Sequence, residues 1–416
     1  MAGDDQATVQ RRTLRVLSAA QVLGGVGVGS AIAVGGLLAE DVSGSTELSG
    51  LSQTASVLGG AIAALPMSRL MSRRGRRPGL VAGYLVAACG AVLMAAGAAF
   101  DAFVLVLLGA LLLGSGTATN LQSRYAAVDL ADAGHRARAL SVVVWATTVG
   151  VVLGPNLIGP GATVARALDM PELAGPLLFS LVAFAVASAL LWLMLRPDPL
   201  LLARTIASDA GEEGHPHGSL SEALRVIRST PPALLAVLAV AVAHTVMVSV
   251  MVMTPVHMRH EGAELEVVGI VISVHVAGMY ALSPVVGWLS DRLGRVAVLV
   301  IGNVVLLSAV LVSGRAQSHA VLGVGLVLLG VGWSCGLVAG STLLSESVPV
   351  GSRPSVQGAA DFTMGLCGAV GGALAGVVIG LTGYGTLNAL AGALALPMLV
   401  LAGLALPAVR ARRVGA

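Results

Sequence analysis

Long uninterrupted apolar runs govern what this chain can become. Each reaches about twenty residues, the length an α-helix needs to cross the hydrocarbon of a bilayer. Twelve are legible, at about 16–39, 49–70, 79–99, 103–127, 139–160, 175–195, 232–256, 266–288, 296–313, 320–344, 356–382 and 386–406. Inside lipid every backbone N–H and C=O must be paired within the spanning structure, which leaves helices or closed barrels. A barrel would show short alternating segments and aromatic girdles. Here the runs are continuous, aromatics are 3% of the residues and glycine is abundant at 54, as close helix packing requires. With 56% apolar and 11% charged residues, the chain reads as an all-α membrane protein of twelve transmembrane helices embedded in the lipid bilayer, not as a soluble enzyme.

Charge placement orients it. Every one of the 24 basic residues is arginine, and an even number of spans puts both termini on one side. With the N-terminus in the cytosol, Arg166, Arg259 and Arg315 are the arginines that fall outside, the asymmetry expected of a plasma (inner) membrane protein. The first run follows Arg11, Arg12 and Arg15 and is expected to be a retained span, not a cleaved leader. Cys89, Cys335 and Cys367 lie inside apolar runs and read as buried hydrophobes. The long polar connection at 196–231 divides an N-terminal half, 1–195, from a C-terminal half, 232–416. The halves repeat: SRRGRR at 72–77 answers DRLGRV at 291–296, and AGHRARALS at 133–141 answers VGSRPSVQG at 350–358. Parallel six-helix repeats are an architecture of secondary transporters, with the substrate site between repeats near the midplane. No Gly-rich phosphate loop is present, and neither nucleic acid nor a permanently bound cofactor is expected; a monomer is.

The segment Gly287-Trp-Leu-Ser-Asp291-Arg292-Leu-Gly294-Arg295 resembles the loop signature of the major facilitator superfamily. That resemblance implies the superfamily's twelve-helix fold, two pseudo-symmetric halves working by alternating access, and a conformational latch at Gly287, Asp291, Arg292, Gly294 and Arg295. Physically, Gly287 lets two helices approach, Asp291 suits a helix N-terminus or an arginine, and Gly294 turns the chain. In the first half Ser68 and Ser72 replace the Gly and Asp, while Arg73, Gly75, Arg76 and Arg77 remain. In span five, Gly150-x-x-x-Gly154-Pro155 resembles the Gly-Pro bend of proton-driven antiporters. Proline there removes a backbone donor and bends the helix.

Ionisable and soft-donor residues inside spans are the pointers to chemistry. Arg124, Asp129 and Asp361 sit near span ends, either as ion pairs or with Asp129 or Asp361 coupling protons. Span seven carries His244, Met247 and Met251, and span eight carries His275 and Met279 at a four-residue spacing. Antiparallel neighbours at these positions would place donors at matching depths. Thioether and imidazole donors without carboxylate or thiolate suit Cu(I). The Met-x-x-x-Met and His-x-x-x-Met pair in consecutive spans looks like the motifs of the CcoA-like copper importers, which implies Cu(I) as a transported substrate; ordinary core packing accounts for the same residues. His257 and His260 could collect metal at one end, and His215 and His217 in the linker could hand it on. Two functions remain in view: copper import, and proton-coupled export of a drug or lipophilic metabolite. A receptor or scaffold is the third, without an effector domain to report a signal.

Overall fold

The computed structural model describes residues 3–45, 48–209 and 219–414, and all regular structure there is helical. Among the described residues, 12 helical stretches are long and apolar enough to cross a membrane. In chain order the helices are α1 (Gly3–Ser43), α2 (Ser49–Arg74), α3 (Arg76–Ala99), α4 (Phe103–Ala126), α5 (Arg136–Leu153), α6 (Ile158–Ala167), α7 (Gly175–Met194), α8 (Pro199–Asp209), α9 (Leu220–Ser229), α10 (Pro231–His260), α11 (Leu265–Tyr280), α12 (Ser283–Leu293), α13 (Arg295–Gly314), α14 (His319–Glu346), α15 (Arg353–Thr382) and α16 (Tyr384–Val414).

Two spans are built from paired helices. In the fifth, α5 stops at Leu153 and a 3-10 turn at Pro155–Leu157 leads into α6, because Pro155 has no N–H to continue the ladder. In the eighth, α11 gives way to α12 around Leu282, with Pro284 in the first turn of α12. Small residues lie at the helix contacts while large apolar side chains point away: Phe100, Leu381 and Leu404 are 76%, 79% and 72% exposed, as lipid-facing residues are.

The chain packs as two compact units: Met1–Ala131, Ala146–Leu224 and Pro349–Phe362 in the first; Asp132–Trp145, Arg225–Val348 and Thr363–Ala416 in the second. In the first, α3 lies against α4 and α7, and α4 also meets α2 and α1. In the second, α14 is flanked by α10, α11 and α13, and α13 and α10 both meet α16. These packing borders differ from the repeat halves of the sequence in a reciprocal way. The start of α5 belongs to the second unit, and the start of α15 belongs to the first.

Candidate functional site

The second unit holds the start of α5 by its backbone. The Asp291 carboxylate, at the end of α12, accepts from the Ala137 N–H at 3.0 Å and the Arg138 N–H at 2.9 Å. These amides have no partner within their own helix, and a negative charge there also meets the positive end of the helix dipole, worth about 0.3–1 kcal/mol and more when partly buried. Arg295 donates to Asp291 at 2.7 Å and forms a two-pronged pair with Glu346 at 2.8 and 3.2 Å. Its remaining nitrogen contacts reach the carbonyls of Ser290 and Ala133. Gly294, at φ 97°, makes the turn that brings Arg295 back over Asp291. A Cβ on Gly287 would come within 2.2 Å of Ser141 Oγ, so only glycine allows α12 this close to α5. Arg292 lies over the Trp288 ring at 5.3 Å, away from this cluster.

The first unit holds a more deeply buried ionic set. Arg76 pairs two-pronged with Asp129 at 2.8 and 3.2 Å and donates to Gln357 Oε1 at 2.7 Å, on α15. One turn further along α15, Asp361 accepts from Arg124 at 2.5 Å and from Gln122 Nε2 at 2.8 Å. The Arg124 guanidinium also meets the Tyr125 hydroxyl and lies 4.3 Å over that ring. All four charged side chains are essentially without solvent contact. Asp129 and Asp361 thus each have an arginine; Arg76 opens α3 instead of lying in the loop of its motif, and Gln122 and Gln357 join the set without a motif to mark them. The signal was available in the repeat, since Arg76 and Asp129 fall on Arg295 and Glu346 at the offsets that align the halves.

Gly150 and Gly154 are where α5 meets α1. A Cβ on Gly150 would lie 2.4 Å from the Val22 carbonyl oxygen and 2.6 Å from Gly25 Cα, and one on Gly154 would lie 2.6 Å from Ser30 N. Ser30 Oγ donates to the Gly154 carbonyl at 3.1 Å, just before the Pro155 break.

Both α10 and α11 pack on α14, where His244 and His275 find partners. A Cβ on Gly330 of α14 would lie 2.5 Å from the His275 carbonyl oxygen and 2.7 Å from Met279 N, which seats α11 there. α10 packs along α14 as well and has little contact with α11 itself. Met247, His275 and Met279 are buried and Met251 is half-buried. His275 Nδ1 lies 2.8 Å from the Leu326 carbonyl oxygen, and its Nε2 is buried without a hydrogen-bond partner. His244 Nδ1 instead accepts from Trp333 Nε1 at 3.1 Å. At the far end of α10, His257 stacks on Tyr384 with ring centres 4.2 Å apart and His260 is exposed. His215 and His217 lie outside the described residues. Among the described residues no group of three or more His, Cys, Asp or Glu is placed to hold a metal ion.

Trp333 and Tyr280, which the sequence reading passed over, complete an aromatic group with His244. Tyr280 meets Trp333 edge-on with ring centres 5.6 Å apart. His244 and Trp333 sit near the midpoints of α10 and α14, and Tyr280 sits at the junction of α11 and α12. An indole N–H inside a span requires an acceptor, so Trp333 was a findable signal. The first unit has its own mid-span polar group: Gln21 donates to Thr147 Oγ1 at 2.8 Å, and the Tyr84 hydroxyl donates to Asn120 Oδ1 at 2.6 Å.

Comparison with known proteins places this architecture. The chain is 39% identical over 395 residues to the uncharacterized MFS-type transporter YdeG of Bacillus subtilis (strain 168), covering 94% of this chain and 91% of that protein. It is 30% identical over 384 residues to the riboflavin transporter RfnT of Brucella anthropi, covering 92% of each. Its fold is similar to the crystal structure of the human organic anion transporter MFSD10 (TETRAN), with a TM-score of 0.73 over 94% of this chain and 99% of that one at 19% identity. The Major Facilitator Superfamily family model matches residues 17–266 and 238–415. The chain belongs to the Major Facilitator Superfamily and is a membrane transporter, not an enzyme.

Proposed function

We propose that this transporter carries a small organic solute with a flat heteroaromatic ring, of the flavin kind, across the plasma membrane by alternating access, with both termini in the cytosol. The observation that carries this reading is the His244, Trp333 and Tyr280 group. In a chain with 3% aromatic residues, an indole, a phenol and an imidazole meet at mid-span, where substrates of such transporters bind. His244 and Tyr280 are half-buried, so each keeps an accessible edge. The likeness to a riboflavin transporter over 92% of the chain supports the same class of solute. The arginine asymmetry supports the orientation.

Transport direction does not enter the test if exchange is measured. Purified protein in liposomes loaded with riboflavin is expected to take up labelled riboflavin by counterflow. Trp333→Leu should reduce the rate about tenfold, the order expected when ring contacts are lost. Exchange no faster than in empty liposomes would end the flavin reading.

A second reading is transport of Cu(I), favoured by the partnerless Nε2 of buried His275 with Met279 one helical turn away. Here Met247→Ala and His275→Ala should abolish copper accumulation in cells with the protein still in the membrane. That result together with an inert Trp333→Leu would replace the flavin reading.

A further inference from the structure

The two repeats hold equivalent helix starts by different chemistry. Aligned by the repeat offsets, Ser68, Ser72, Arg76 and Asp129 correspond to Gly287, Asp291, Arg295 and Glu346, while Pro354, Ser355 and Gly358 correspond to Ala137, Arg138 and Ser141. The small-residue contact has been exchanged reciprocally. In the second unit Gly287 faces Ser141; in the first, Ser68 faces Gly358, where a Cβ would lie 2.3 Å from the Ser68 Cβ. The Arg76–Asp129 pair matches the Arg295–Glu346 pair. The carboxylate on the helix start does not recur. Ser72 stands in place of Asp291, and its hydroxyl is buried without a hydrogen-bond partner. Pro354 stands in place of Ala137, so one of the two amides such a carboxylate would bind is gone.

What the first unit has instead is absent from the second. Arg124, Gln122 and Asp361 correspond to Ser341, Ala339 and Val144, which carry no charge. We infer that the buried Arg124–Asp361 pair, with Gln122, is the substitute latch of the α15 start, doing there what Asp291 does for the start of α5. Arg204 of α8 reinforces it by bridging the Ser72 carbonyl at 2.8 Å and the Gly351 carbonyl at 3.3 Å. The two latches release differently. Parting α12 from α5 frees amides at a helix end, whereas parting α4 from α15 uncovers two opposite charges together. Parting a buried pair requires water to replace the partner of both charges, whereas removing one partner by substitution leaves the other charge buried and uncompensated. The inference does not depend on which solute is carried.

Hydrogen exchange of the full-length protein in lipid nanodiscs tests it. Arg124→Met with Asp361→Leu removes both charges and strands neither. Exchange across 349–362 should rise about tenfold while 133–145 stays at the wild-type rate, and Asp291→Asn should do the reverse. Adding Ser72→Asp and Pro354→Ala to the double variant supplies the missing carboxylate and the missing amide, and should restore slow exchange at 349–362. A neutral pair whose exchange at 349–362 stays within about twofold of wild type, or a rescue that leaves it fast, would overturn the inference. Asp361→Asn, measured alongside, should also speed exchange at 349–362; wild-type exchange there would count equally against it.

Discussion

His275 sets its imidazole between α11 and α14 with Nδ1 2.8 Å from a carbonyl oxygen. A carbonyl cannot donate, so in the neutral ring the proton sits on Nδ1 and the lone pair of Nε2 faces a buried space without a donor. An unsatisfied buried acceptor costs about 1–3 kcal/mol, which His275→Leu would relieve while giving up one modest hydrogen bond. The expected outcome is a melting temperature close to wild type in detergent, and no Cu(I)-dependent rise for either protein. A Cu(I)-dependent rise that His275→Leu abolishes would turn the lone pair into a ligand and favour the copper reading. At this scale the sequence is legible where chemistry is local. Asp291, Gly294 and Arg295 lie within five residues, and their geometry follows from a helix end and a glycine turn. Arg124 and Asp361 are 237 residues apart, and no spacing rule joins them. The Met and His spacing of α10 and α11 was equally visible, yet it could not say that both helices lean on α14, because that depends on which face carries Gly330.

Among the elements, α5 meets its neighbour through glycines that leave no room for a side chain. Its Gly150, and Gly154 just past its end, lie against Gly25 and Gly29 of α1, backbone to backbone. Backbone cannot swing aside as a flexible side chain can, so an added methyl must push the helices apart, at about 1–3 kcal/mol. Gly150→Ala should therefore lower the thermal midpoint by several degrees, measured in detergent. Gly159→Ala is the internal control, since nothing lies within 4 Å of a Cβ there, and its midpoint should not move. Equal midpoints for the two variants would show that α1 and α5 are not held by this seam. The twelve spans were legible from apolar length, and the break in the fifth from Gly154-Pro155. The seam itself was not, because a glycine pattern marks a close approach without naming the partner helix.

At the scale of the whole molecule, the reciprocal exchange of helix starts makes each repeat dependent on the other. The first unit contains Pro349–Phe362 from the second half, and the second unit contains Asp132–Trp145 from the first. A cut in the linker between 209 and 219 would leave every spanning helix intact, yet residues 1–209 alone would lose Gln357 and Asp361, partners of Arg76 and Arg124. Arg124, at 1% side-chain exposure with the pair intact, would then lose both its carboxylate and the cover of α15. In the complementary fragment Asp291 would lose the Ala137 and Arg138 amides but keep Arg295, a smaller loss at a more exposed edge. The fragments should therefore behave unequally. Expressed alone, 1–209 is expected to be degraded faster than 219–416, and expressed together the two should copurify and protect each other. Replacing Arg124 by Met in the 1–209 fragment should lengthen its lifetime when it is made alone, because the stranded charge is gone. A lifetime unchanged by Arg124→Met would mean that the lost partner of Arg124 is not what destabilises the isolated repeat.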